Sequence, residues 1–98
     1  MHTHRILIVD DESDARSTLR IFLEFSPQIK VEIAEADSVI NALKKIKSFK
    51  PDIVLLDILL QDDSGFDLLD LEDDLNFAVI FTTAYDEFAI KAFKYNAV

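Results

Sequence analysis

Three aspartates and a threonine carry the chemistry this sequence could perform: Asp10 and Asp11 side by side, Asp57, and Thr83. The apolar run Ile53-Val54-Leu55-Leu56 ends directly on Asp57 instead of on a turn residue. Brought together, such carboxylates repel: two of them about 4–5 Å apart cost roughly 3–4 kcal/mol at an effective dielectric of about 20. A divalent cation removes that cost, and donors that are all oxygen select a hard ion such as Mg2+. A carboxylate on such an ion, with a hydroxyl beside it, is suited to receive a phosphoryl group, because that reaction depends mostly on positioning and charge neutralisation. Each residue also has a plainer reading. Asp10 and Asp11 could cap the following helix, Asp57 could be a turn acid, and Thr83 a structural threonine. What argues for chemistry is that all of them fall at the carboxyl ends of apolar runs.

Those runs are the elements that must position the site. Ile6-Leu7-Ile8-Val9 reads as a buried strand; Ala15, Leu19, Phe22 and Leu23 follow at helical spacing, with Ser13 expected as N-cap. Val31, Ile33 and Ala34 suggest a second strand. Val39, Ala42, Leu43 and Ile46 form the stripe of a second helix opened by Ser38. Ile53–Leu56 is the third strand, and Phe66, Leu68, Leu69 and Leu71 begin the third helix. Ala78–Phe81 is the fourth strand, and a fourth helix is expected from about Asp86, ended by Asn96. Four βα units in succession predict a parallel sheet with helices on both faces and right-handed crossovers. In such sheets ligands bind beyond the carboxyl ends of the strands, where strand order reverses. Asp10, Asp11, Asp57 and Thr83 all map to that end.

Composition narrows the class. Ninety-eight residues, half of them hydrophobic, make one globular domain spanning 1–98. There is no cysteine, which excludes disulfides and thiolate metal sites. A net charge of −9 argues against nucleic-acid binding by this chain. The N-terminal apolar run breaks into acids too soon for a signal peptide or membrane span, so the expected location is cytoplasmic.

With ILIVDDE at Ile6–Glu12, VLLDILLQDDSG at Val54–Gly65 and VIFTTAYDEFAIKAF at Val79–Phe93, the chain resembles the receiver domain of two-component response regulators. The last segment is most similar to receivers that precede a LytTR-type DNA-binding domain. The resemblance implies a flavodoxin-like fold, strand order 2-1-3-4 here, with the fifth strand and helix of the family missing from this chain. It implies that Asp57 accepts a phosphoryl group from a histidine kinase. It further implies Mg2+ held by Asp11, Asp57 and the backbone carbonyl of Leu59, with Asp10 acting through water. Thr83 would contact the phosphoryl group and move with it, and a transcriptional output outside this chain would be regulated. A receiver is a signalling element and not an enzyme in the usual sense, catalysing only its own phosphorylation and dephosphorylation.

Two departures from the family pattern stand out. Gln61 replaces the usual proline four residues after the acceptor, and the family's strand-5 lysine would lie beyond Val98. The alternative function is therefore a truncated receiver serving as a non-phosphorylated binding module. It would pair with a second copy through the strand 4 and helix 4 edge, or by element swapping. A haloacid-dehalogenase-type phosphatase needs an aspartate where Leu59 stands, and a flavin-binding protein needs a phosphate-cradling loop where Asp10-Asp11-Glu12 would repel one. His2 and His4 read as a frayed terminus rather than a metal site. Asp62 and Asp63 read as solvated loop acids, or one of them as the holder of a metal-bound water, and Tyr85 as a residue lining the site or packing on the surface. Asp70, Glu72, Asp73 and Asp74 read as a solvated helix end.

Overall fold

In a parallel sheet flanked by helices, central strands are buried on both sides and are apolar throughout. Ile6, Leu7, Ile8 and Val9 behave this way and are all buried. The computed structural model describes residues 3–58, 60, 64–71 and 76–82. In chain order the elements are β1 (Thr3–Val9), α1 (Ser13–Glu24), β2 (Lys30–Ala36), α2 (Val39–Phe49), β3 (Ile53–Leu56), α3 (Gly65–Leu71) and β4 (Ala78–Phe81). The four strands form one parallel sheet in the order β2-β1-β3-β4. This is the expected flavodoxin-like topology. The fourth helix expected from Asp86, and the Asn96 cap, lie outside the described residues.

The register sets up the site. Val9 stands beside Ala36 on one side and Leu56 on the other, and Leu56 stands beside Phe81. The next residues along these rows are Asp10, Asp57 and Thr82, so the acids leave the sheet at one level. One face of the sheet carries the core. Leu7, Val9, Val54, Leu56 and Val79 pack with Val39, Ala42 and Ile46 of α2 and with Phe66, Leu68 and Leu69 of α3. The rings of Phe66 and Phe81 meet at 5.2 Å between centroids, tilted by 54°, which ties α3 to β4.

The opposite face is more lightly covered. Helix α1 packs over β1 and β2, yet none of its residues is buried. Phe22, expected on the apolar face of this helix, is 73% exposed, and Phe25 is 80% exposed. On the same side of the sheet Ile53, Leu55 and Ile80 are only half-buried. The periodicity placed Phe22 correctly on the helix, but at a position that faces solvent and not the strands. The cap also differs from expectation. Glu12 occupies the N-cap position with no side-chain cap bond, and Ser13 is the first helical residue. For α2 the expected Ser38 cap holds, its side chain accepting from the Asn41 amide at 3.2 Å.

At the end of the sheet away from the acids, Arg5 joins three elements. Its Nε and Nη2 both donate to the carbonyl of Phe49 at the end of α2, at 2.8 and 2.5 Å. Nη1 pairs with Glu32 of β2 at 2.7 Å. The guanidinium also lies 4.3 Å from the centroid of the Phe49 ring. A cation on the last carbonyls of a helix satisfies acceptors that the helix cannot. The chain then turns through Lys50, the one described non-glycine residue with positive φ, at 52°. Replacing Arg5 by alanine should cost about 2 kcal/mol in urea unfolding, since a helix-end bond and a cation–π contact are lost together. Lysine at this position should recover less than half of that loss, because it cannot fork onto one carbonyl while reaching Glu32.

Candidate functional site

The carboxylates of Asp10, Asp11 and Asp57 converge, with one oxygen of each lying within 4.8 Å of the others. Asp10 is buried, and Asp11 and Asp57 are half-buried. Main-chain bonds that extend the sheet ladder fix the backbone beneath them. The Asp10 amide donates to the Ala36 carbonyl at 3.1 Å, Asp57 to Val9 at 3.0 Å, and Thr82 to Leu56 at 3.0 Å. The ladder therefore reaches the residue before Thr83. Thr83 and Leu59, both expected in the site, lie outside the described residues, as do Asp62, Asp63 and Tyr85.

Asp10 serves two ends at once. Its Oδ1 accepts from the Glu12 amide at 3.0 Å, closing a turn just ahead of α1, although the helix itself has no side-chain cap bond. Its carboxyl also stands against the other acids, and its pKa is raised. Burial is the main cause; the Glu12 amide opposes it, the Asp11 charge adds to it, and the Arg16 guanidinium lowers it. An all-carboxylate set of this kind fits a hard cation such as Mg2+, whose charge would offset the repulsion.

The segment after Asp57 is anchored by its apolar residues and by one glycine. Ile58 and Leu60 are buried in the core. The Gly65 amide donates to the Ile58 carbonyl at 2.7 Å. A β-carbon on Gly65 would run into the Asp57 carbonyl oxygen and sit 3.0 Å from the Leu56 side chain. Glycine is required here for close approach, not for an unusual φ. Helix α3 then opens with a reciprocal cap: Ser64 Oγ accepts from the Phe66 amide at 3.1 Å, and Asp67 accepts from the Ser64 amide at 2.9 Å. The Ser-x-x-Asp spacing is the linear signal of such a cap. Arg16, whose Nη1 donates to the Asp10 carbonyl at 2.7 Å, had no such linear signal.

Comparison with known proteins agrees with this geometry. The family model described as "Response regulator receiver domain" matches residues 6–98. A protein named sensory transduction protein LytT from Enterococcus faecalis is 47% identical over 94 residues, covering 94% of this chain and 38% of its own length. The chain thus spans under two fifths of that relative. The response regulator domain of Thermotoga maritima CheB superposes with a TM-score of 0.83 at 26% identity, covering 99% of this chain and 75% of that one. The response regulator TrrA from Thermotoga maritima, solved in complex with Mg(2+)-BeF, has a TM-score of 0.80 at 31% identity. That match covers 96% of this chain and 81% of TrrA. Among the described residues no helix is long and apolar enough to cross a membrane.

Two measurements follow. Gly65→Ala should destabilise the chain by about 1–3 kcal/mol in denaturant unfolding, because the added methyl must displace the Asp57 carbonyl. Asp10 sets a pH dependence. A carboxyl whose folded pKa is raised binds its proton more tightly when folded, so its ionised form opposes folding at neutral pH. That penalty is relieved as pH falls through the folded pKa and is gone below the unfolded value. In chelator, Asp10→Asn should therefore melt above wild type at pH 7, with the gap closing towards pH 4. Mg2+ at about ten times its Kd should raise the stability of wild type by about 1.4 kcal/mol and that of the variant by less.

Proposed function

The chain belongs to the response regulator receiver domain family of two-component signalling, and we propose on that footing that Asp57 accepts a phosphoryl group from the phosphohistidine of a histidine kinase. The observation that carries this reading is the convergence of Asp57 with Asp10 and Asp11 at the carboxyl end of β3. A carboxylate oxygen of Asp57 forms the new bond to phosphorus as the bond to the imidazole nitrogen breaks. The imidazole leaves with the bonding electron pair and takes up a proton. No general base is needed, because a carboxylate nucleophile carries no proton to be removed.

The residues of the chain do the positioning. The Asp57 amide bond to Val9 and the packing of Gly65 beneath its carbonyl hold the acceptor at one height above the sheet. Much of the entropy lost in aligning nucleophile and donor is thereby lost on folding, before the donor arrives. Asp11, Asp57 and the Leu59 carbonyl would hold Mg2+ directly, and Asp10 would hold it through water. Bound there, the ion would supply the positive charge that lets an anionic acceptor meet an anionic donor. The Thr83 hydroxyl would contact the transferred group and shift with it, passing the change to a transcriptional output carried elsewhere. The LytT name of the Enterococcus faecalis relative supports a regulatory role of this kind. The only covalent chemistry is then gain and loss of the phosphoryl group on Asp57.

A second reading is a binding or dimerisation module that is not phosphorylated. It is favoured by the half-covered second face of the sheet, and by β4 pairing on one side only among the described residues. Intact-mass spectrometry separates the two. With Mg2+ and a small phosphodonor, wild type should gain one phosphoryl group, whereas Asp57→Asn, or wild type in chelator, should gain none. A folded wild-type chain that stays unmodified would sink the acceptor reading and leave the binding module.

A further inference from the structure

Arg16 lies in α1, outside the acidic triad, yet it touches the backbone of that triad. Its Nη1 donates to the Asp10 carbonyl at 2.7 Å, and its Nε donates to Glu35 Oε1 at 3.0 Å. The other oxygen of Glu35 accepts from Arg20 Nε at 2.9 Å, and Arg20 Nη1 pairs with Glu24 at 3.1 Å. Glu35 on the edge strand β2 thus bridges two arginines of α1. Arg16 and Glu35 keep side-chain exposures of only 17% and 29%. Ion pairs near a surface contribute little to stability, so stability alone is a poor reason for so ordered an arrangement.

The geometry offers a better one. The Asp10 carbonyl and the Asp11 amide belong to one planar peptide unit. Three bonds surround that unit: Asp10 N–H to Ala36, Glu12 N–H to Asp10 Oδ1, and Arg16 to the Asp10 carbonyl. The first two hold the amide and the side chain of Asp10. Among the described residues Arg16 alone grips the carbonyl end, and so sets the tilt of the plane from which Asp11 projects towards Asp57. We propose that Arg16, aligned by Glu35, is a positioning residue that orients the Asp10–Asp11 peptide for binding a divalent cation; this rests on the metal reading given above.

The sign of its effect is diagnostic. As a bare charge, Arg16 repels a cation, so removing it would tighten Mg2+ binding. As a strut it favours binding, so losing its fork weakens it. Arg16→Lys and Glu35→Asp both conserve charge while breaking the bridge. Lysine cannot donate to carbonyl and carboxylate in the same fixed fork, and aspartate is too short to span both arginines. Calorimetric titration of the chain with Mg2+ should show about tenfold weaker binding for Arg16→Lys, a smaller loss for Glu35→Asp, and melting temperatures in chelator close to wild type. Affinity unchanged or improved in Arg16→Lys would overturn the proposal.

A second, metal-free readout stands apart from the metal reading. The Asp11 backbone amide resonance should shift in Arg16→Lys relative to wild type in chelator. An unmoved resonance would overturn the strut even if the chain binds no Mg2+, whereas a wild type that binds no Mg2+ while that resonance shifts would fault only the metal.

Discussion

Three like charges held within reach of one another are the constraint around which this molecule is organised. Left to themselves, Asp10, Asp11 and Asp57 would move apart, since each gains by facing water. They stay together because their backbones are extensions of a sheet, joined to Ala36, Val9 and the strands behind them. Breaking that alignment would mean disrupting β1 and β3, whose residues Leu7, Ile8, Val9, Val54 and Leu56 are almost completely buried. Hydrophobic burial outweighs the repulsion, and it imposes a geometry that electrostatics alone would reject. A site under such tension is primed for any cation able to relieve it.

The sheet also divides its labour by end. At the carboxyl ends of the strands the backbone carries acids that repel one another. At the opposite end Arg5 and Phe49 close the junction of α2, β1 and β2 with opposite charges and a ring contact. The stabilising contacts are gathered at the end away from the acidic cluster. This division is common in α/β folds, in which a rigid scaffold supports loops that do the work.

Much of this was legible in the residues themselves. The runs at 6–9, 53–56 and 78–81 announced strands because they are short, uninterrupted, rich in β-branched residues and alternate with helical stripes, as the buried strands of a parallel sheet do. Their order, and therefore the meeting of Asp10 and Asp11 with Asp57, came from resemblance to receivers; alternation of strands and helices alone leaves strand order open. Finer features were less accessible. Ser13 looked like a cap, but Asp10 takes the amide of Glu12 instead, so the turn is organised one step earlier. Phe22 had helical spacing, but spacing cannot say how wide the contact stripe is. Arg16 could not be singled out, because its partner Glu35 is nineteen residues away and meets it only once β2 lies beside β1.

The lightly covered face has a colloidal consequence. Ile21 and Phe22 of α1 and Phe25 at its C-cap are exposed, and Ile53, Leu55 and Ile80 are only half-buried. An apolar surface of that kind attracts its own image on a neighbouring molecule. What opposes the attraction is the net charge of −9, spread over the rest of the chain. Like-charge repulsion reaches about 30 Å in dilute buffer near 0.01 M but only about 8 Å at physiological ionic strength. Ionic strength thus sets how far charge shields that apolar surface from a neighbouring copy.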